Sequence, residues 1–92
     1  MSSKSDPLVL FFKALSNEDR LEIVRLLKKK KEMKANEVEE CFYLEQSTTS
    51  HHLNTLKKAG IAKSRKEGRH RLYSLDIPSI QALLKKANDL IS

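Results

Sequence analysis

Apolar residues return every three or four positions through most of this chain, the spacing of helices with one buried face. Pro7 opens a first such segment, in which Leu8, Val9, Phe11, Phe12 and Leu15 supply a dense apolar surface. Ser16, with Asp19 three residues on, has the form of a cap for a second helix running through Lys30. Leu21, Ile23, Val24, Leu26 and Leu27 give that helix its buried face, and Glu18, Glu22 and Arg25 its outer one. A third, shorter helix spans Ala35 to Phe42, and Tyr43 to Gln46 is a tight connection. A fourth runs from about Ser47 to Ala59 and stops at Gly60, a residue suited to the position just past a helix end.

From Ile61 the pattern changes. Ile61 to Lys66 and Arg69 to Leu75 read as two short strands about Glu67-Gly68, which has the chemistry of a hairpin turn. Asp76 and Pro78 then start a last helix, whose positions Ile80, Leu83, Leu84, Ala87, Leu90 and Ile91 keep the helical period. Repeats, low-complexity tracts and linkers are absent from the sequence. The predicted fold is mainly α with a small β-hairpin, in the order ααααββα.

Size and composition narrow the class. The chain has 92 residues, which fits one domain over 1–92, since a single core usually serves roughly 100 to 200 residues. Cys41 is its one cysteine, so no intrachain disulfide can form and a disulfide-rich secreted scaffold is excluded. No apolar run approaches the ~18 residues of a membrane span, and Met1 to Pro7 lacks the apolar core of a signal peptide. The composition, 39% hydrophobic and 33% charged with two glycines and two prolines, therefore predicts a soluble, cytoplasmic, helix-rich protein.

Charge adds a location. The net charge is +6, and the segment from Gln46 to Leu75 alone holds seven basic residues against one acid, Glu67. The rest of the chain balances to zero, so the whole excess lies in the fourth helix and the hairpin. Solubility does not demand that clustering, whereas a polyanionic partner does. The run Lys28 to Lys31 is a separate feature, placed at a helix end where cations suit the macrodipole and stay solvated.

A short helix, a tight turn, a second helix and a basic hairpin make a helix-turn-helix with a wing, whose second helix reads the major groove of double-stranded DNA. On that helix Thr49, Leu53 and Leu56 share one side and seat it on the core. Ser47, Ser50, His51, Asn54 and Lys58 gather opposite: hydroxyls, an imidazole, an amide and a cation, all able to bond bases or phosphates. No acid occurs from Gln46 through Lys66, although a merely solvated helix face normally carries glutamates.

The run from Leu44 to Leu53, then Leu56, Ala59-Gly60-Ile61, Arg65 to Arg69 and Tyr73-Ser74-Leu75, closely resembles the ArsR/SmtB family of winged-helix repressors. The opening Phe12 to Ser16 and Arg20 to Val24 resemble that family's start, so the likeness covers roughly residues 11–75. The resemblance implies a homodimer built from the first and last helices, bound as a repressor to an inverted-repeat operator. It implies major-groove contacts from Gln46, Ser47, Ser50 and His51, and backbone or minor-groove contacts from the hairpin tip, Lys66 to Arg69. With the polar stripe, the candidate DNA-binding set is Gln46, Ser47, Thr48, Ser50, His51, Asn54, Lys58, Arg65, Lys66 and Arg69.

Many members of that family sense metals, and this sequence departs from both of the patterns involved. The cysteine pair of one site would fall at Lys34 and Asn36, and the last helix offers the other site only Asp89 and no histidine. Neither lysine nor asparagine is a soft-metal ligand, so the expected site set includes no metal and no cofactor. His51 and His52 diverge by about 100° on their helix and are not placed to chelate one ion. His51 is expected at DNA, His52 at the helix edge or a phosphate, and His70 on the wing in solvent or at a phosphate.

Cys41 follows Glu37, Glu39 and Glu40 and is expected to be a small, half-buried core residue. A thiol-oxidation-responsive regulator acting through it is the alternative. Few aromatics are present, and Tyr73 is expected to pack, which disfavours a single-strand binder. An interaction module would use the apolar end helices but would leave the clustered charge unexplained. An enzyme would need a cleft and an orienting third group beside Cys41 or the histidines, and this layout offers none. Nothing in the sequence names an inducer.

Overall fold

The computed structural model describes residues 6–92; Met1 to Ser5, within the stretch assessed for a leader, lie outside them. The elements are α1 (Pro7–Leu15), α2 (Glu18–Lys30), β1 (Met33–Lys34), α3 (Ala35–Phe42), α4 (Gln46–Lys58), β2 (Ala62–Glu67), β3 (His70–Leu75) and α5 (Ile77–Ile91). This is a winged helix-turn-helix: five helices with a small antiparallel sheet, close to the predicted order.

Side chains that satisfy free backbone amides set the helix starts. Asp6 Oδ1 accepts from Leu8 N at 2.8 Å, and Asp76 Oδ1 from Ser79 N at 3.3 Å. The cap of α2 is Asn17, not Ser16: Asn17 Oδ1 accepts from Arg20 N at 3.0 Å. Ser16 is already engaged in closing α1, its hydroxyl donating to the Lys13 carbonyl at 2.8 Å. With two capping residue types adjacent, each helix takes one.

The sheet is the main departure from expectation. It has three strands in the order β1-β3-β2, because Met33 pairs opposite Tyr73 and Lys34 opposite Leu72. A two-residue strand is too short to show an alternation in sequence. The hairpin turn is Gly68-Arg69, since Glu67 pairs with His70, and Gly68 takes the left-handed φ of 61° that the first central position of a two-residue turn favours.

All helices meet around one core. Ile23 and Leu27 of α2, Val38 of α3, Leu53 and Leu56 of α4, and Ile61 are each at most 1% exposed. Each such side chain contributes about 1.5–3 kcal/mol on leaving water. Gly60, at φ +78°, turns the end of α4 so tightly beneath α5 that a Cβ there would lie 2.7 Å from Ser79 Oγ. The terminal helices α1 and α5 pack on one another. They bury Phe11, Ala14 and Leu83 but leave Val9, Phe12, Leu84, Leu90 and Ile91 exposed.

Candidate nucleic-acid interface

The two helices of the motif, α3 and α4, are joined through Tyr43, which adopts the left-handed conformation (φ 54°, ψ 36°) at the end of α3. Leu44 N then donates to the Glu39 carbonyl at 3.2 Å, so the chain leaves α3 and enters α4 within three residues. Thr49, Leu53 and Leu56 are each 0% exposed and hold α4 against the core as the helical wheel requires. The Thr49 hydroxyl has no hydrogen-bond partner among the described residues.

All but one of the residues expected to contact DNA from this helix are exposed. Ser47, Ser50, His51, Asn54 and Lys58 are exposed, as is Gln46 at its start, while Thr48 is half-buried. Spaced by three or four residues, the first five form one stripe along the helix. Their chemistry is that of base-edge and phosphate recognition.

His52 does not belong to this stripe. It is 6% exposed, on the inner side of α4, so of its two expected positions the packed one is correct. Its Nδ1 lies 3.3 Å from Arg20 Nη1, and because a guanidinium only donates, Nδ1 accepts. Its Nε2 faces the Asp19 carboxylate at 3.9 Å. Burial, and then the Arg20 charge, push its pKa below the ordinary imidazole value. Arg20 also donates from Nε to the Ala14 carbonyl at 2.8 Å and from Nη2 to the Lys13 carbonyl at 3.3 Å. One guanidinium thus ties the end of α1 and the start of α2 to α4. Sequence reasoning missed Arg20, because its side-chain partners come from two other elements, α1 and α4.

On the wing, the structure separates the three candidate cations. Lys66 and Arg69 are exposed and, among the described residues, make no ion pair. Arg65 is held. Its Nε and Nη2 donate to Glu32 at 3.0 and 3.1 Å, and its Nη1 donates to Glu67 at 2.6 Å. The hydrogen bonds from Arg65 keep the Glu32 carboxyl below its usual range, and those to Glu32 and Glu67 hold Arg65 the more firmly charged. Arg65 therefore fastens the wing to the loop before β1.

Cys41 corrects an expectation, being exposed rather than half-buried. Val38 and Phe42 take the inward positions of α3, and Cys41 falls beside them on the outer surface. Among the described residues no group of three or more His, Cys, Asp or Glu is placed to hold a metal ion. Among them also, no helix is long and apolar enough to cross a membrane.

A stripe of hydroxyl, amide and imidazole groups on a helix seated after a tight turn, beside a basic wing, is the arrangement on which known relatives bear. The family model described as bacterial regulatory protein, arsR family, matches residues 17–64. The chain belongs to the arsR family. The cadmium resistance transcriptional regulatory protein CadC homolog of Staphylococcus aureus is 42% identical over 76 residues, which are 83% of this chain and 63% of that protein. The chain thus spans less than two thirds of that relative. Among solved structures, HlyU from Vibrio cholerae, named a transcriptional activator, has a TM-score of 0.73 and 31% identity, covering 99% of this chain and 98% of its own. A homodimeric winged helix-turn-helix DNA-binding domain from Mycobacterium bovis, a possible ArsR-family regulator, has a TM-score of 0.75 and 26% identity over 97% of this chain and 91% of its own. This arsR-family chain therefore carries the helix-turn-helix and wing of a transcriptional regulator.

Proposed function

We propose that this chain is a sequence-specific regulator of transcription that binds an inverted-repeat operator in double-stranded DNA as a homodimer and represses the promoter beneath it. One observation carries the reading. The exposed face of α4 presents Ser47, Ser50, His51, Asn54 and Lys58 while its opposite face is locked in the core. Gln46, Ser47, Thr48, Ser50, His51 and Asn54 are the residues proposed to read bases, Lys58, Lys66 and Arg69 those that hold phosphates. Arg65, grouped with them on sequence grounds, acts through the wing it fastens.

The apolar residues left exposed on α1 and α5, Val9, Phe12, Leu84, Leu90 and Ile91, are the proposed dimer seam. The homodimeric neighbour from Mycobacterium bovis supports it. Two such protomers place their reading helices about one duplex turn apart. Repression needs only occupancy, since a dimer lying in the groove excludes polymerase from the same DNA. The proposed place of action is the nucleoid in the cytoplasm, with no metal and no cofactor in the binding step.

Selection of bound duplexes from a random library, at near-physiological salt, tests the proposal. Enrichment of one inverted repeat with half-sites about one helical turn apart supports a dimeric reader. Salt-sensitive retention of DNA with no enriched sequence means that phosphate is bound and bases are not read. A reporter with that repeat across its promoter then gives the direction, and increased expression on adding the protein overturns repression.

A further inference from the structure

β1 ends at Lys34, and the pairing Lys34–Leu72 is the last rung between β1 and β3. The next rungs would join residues 35 and 36 to Arg71 and His70, but the chain has by then turned into α3. The edge of β3 at His70-Arg71 is therefore without a strand partner on that side. The gap it leaves is a groove of about 280 Å³, lined by Lys34, Asn36, Glu39, Gln46, Arg69 and Arg71, among others. It runs between the start of α3, the start of α4 and the wing.

The charges around this groove differ from that of Arg65 on the same wing. Arg65, which is not part of its lining, is paired with two carboxylates at 2.6–3.1 Å. Among the described residues, Lys34, Arg69 and Arg71 make no ion pair, and Arg71 donates only to the neutral Ser64 hydroxyl, at 3.1 Å. Glu39 is the one acid in the lining, against three permanent cations. Three cations without an ion-pair partner line one concavity, which favours an anion with several oxygens, and guanidinium groups match phosphate in particular. Gln46 and Arg69 both belong to the proposed DNA-contacting set, so an anion seated here is in line with bound DNA.

We propose that the groove between α3 and the wing clamps one phosphodiester of the DNA backbone, with Lys34 and Arg71 as its holding residues. This rests on the DNA-binding reading and adds two residues from outside the recognition helix and the wing tip. A phosphate held here is gripped from both sides, which fixes how far along the groove α4 is displaced and hence its register on the bases.

The test uses the full chain and an operator duplex selected as above. Lys34→Gln and Arg71→Gln should each weaken binding to all duplexes alike, about tenfold, and lower the salt slope by about 2, one phosphate per protomer. Glu39→Gln, which removes the opposing charge, should tighten binding by roughly threefold, a gain that misfolding does not produce. A neutral methylphosphonate at the contacted linkage should weaken the wild type and leave Lys34→Gln unchanged. Unaltered affinity and slope in Lys34→Gln and Arg71→Gln, with the wild type still binding its operator, overturns the clamp and leaves the regulator intact. A wild type that retains no duplex overturns both. Calorimetric binding of inorganic phosphate or pyrophosphate that Lys34→Gln abolishes, without any change in DNA affinity, assigns the groove to a free anion and overturns the phosphodiester.

Discussion

Arg65 and Arg69 lie four residues apart on one basic hairpin, yet the structure gives them different tasks, and salt dependence separates these. A cation that meets a phosphate releases condensed counterions, lowering the slope of log affinity against log salt by about 0.9 per phosphate. Arg69 is exposed at the tip with no ion pair among the described residues. In a two-fold complex Arg69→Gln removes two phosphate contacts, and the slope should become shallower by about 1.8. Between 0.05 and 0.2 M salt that difference alone changes the affinity ratio of wild type to variant by roughly tenfold. Arg65 already spends its guanidinium on Glu32 and Glu67. It releases few counterions on binding, so Arg65→Gln should leave the slope within about 0.5 of the wild type. The assay is fluorescence anisotropy of a labelled operator at four salt concentrations, with both variants checked for a native circular dichroism spectrum. Equal loss of slope in the two variants would refute the reasoning, because it would mean that Arg65 leaves Glu32 for the DNA.

Other perturbations probe the fold that presents the site. His52 has a pKa below the ordinary value of about 6.5, so the unfolded chain binds more protons as pH falls through that value. Its contribution is complete above that pH and is lost below it; the wild-type Tm should drop more than that of His52→Asn between about pH 7 and pH 5, and an equal drop refutes the account. Thr49→Val deletes a buried hydroxyl without a partner and should raise stability by about 1 kcal/mol in urea titration. Gly60→Ala combines a left-handed φ with a Cβ 2.7 Å from Ser79 Oγ and should cost roughly 2–3 kcal/mol, a Tm loss of about 10 °C or more. Cys41 is exposed, so a disulfide reagent should titrate one thiol per chain in the native state; a requirement for denaturant would contradict the structure.

Most of the architecture was legible because it is local. The period of apolar residues marked out all five helices, and the same wheel that put Thr49, Leu53 and Leu56 inward put the candidate reading residues outward. What escaped was non-local. The pairing of Met33-Lys34 with Leu72-Tyr73 joins segments about forty residues apart, and neither residue of β1 carries a strand signature. The clasp from Arg65 to Glu32 spans 33 positions, and nothing beside Arg65 in sequence foretells it. The contact from Arg20 to His52 is of the same kind, 32 positions apart. Cys41 failed for a different reason: a small apolar side chain suits a core, but its angle on α3 places it beside Val38 and Phe42 rather than between them.

The link from Arg20 to the last carbonyls of α1 and to His52 on α4 acts as a brace across the protomer. In the proposed homodimer α1 lies at the seam, so the brace ties each reading helix to the seam helix of its own protomer. Their separation and rotational phase are then properties of the protein, not of the DNA. Adding one base pair at the centre of an operator displaces a half-site by about 3.4 Å and rotates it by about 35°. Reading helices tied to the seam in this way resist that rotation, and the duplex must twist to restore the fit. Targets of such a regulator are set by spacing as strictly as by letters, and a search for them does best to hold the gap constant while the bases vary.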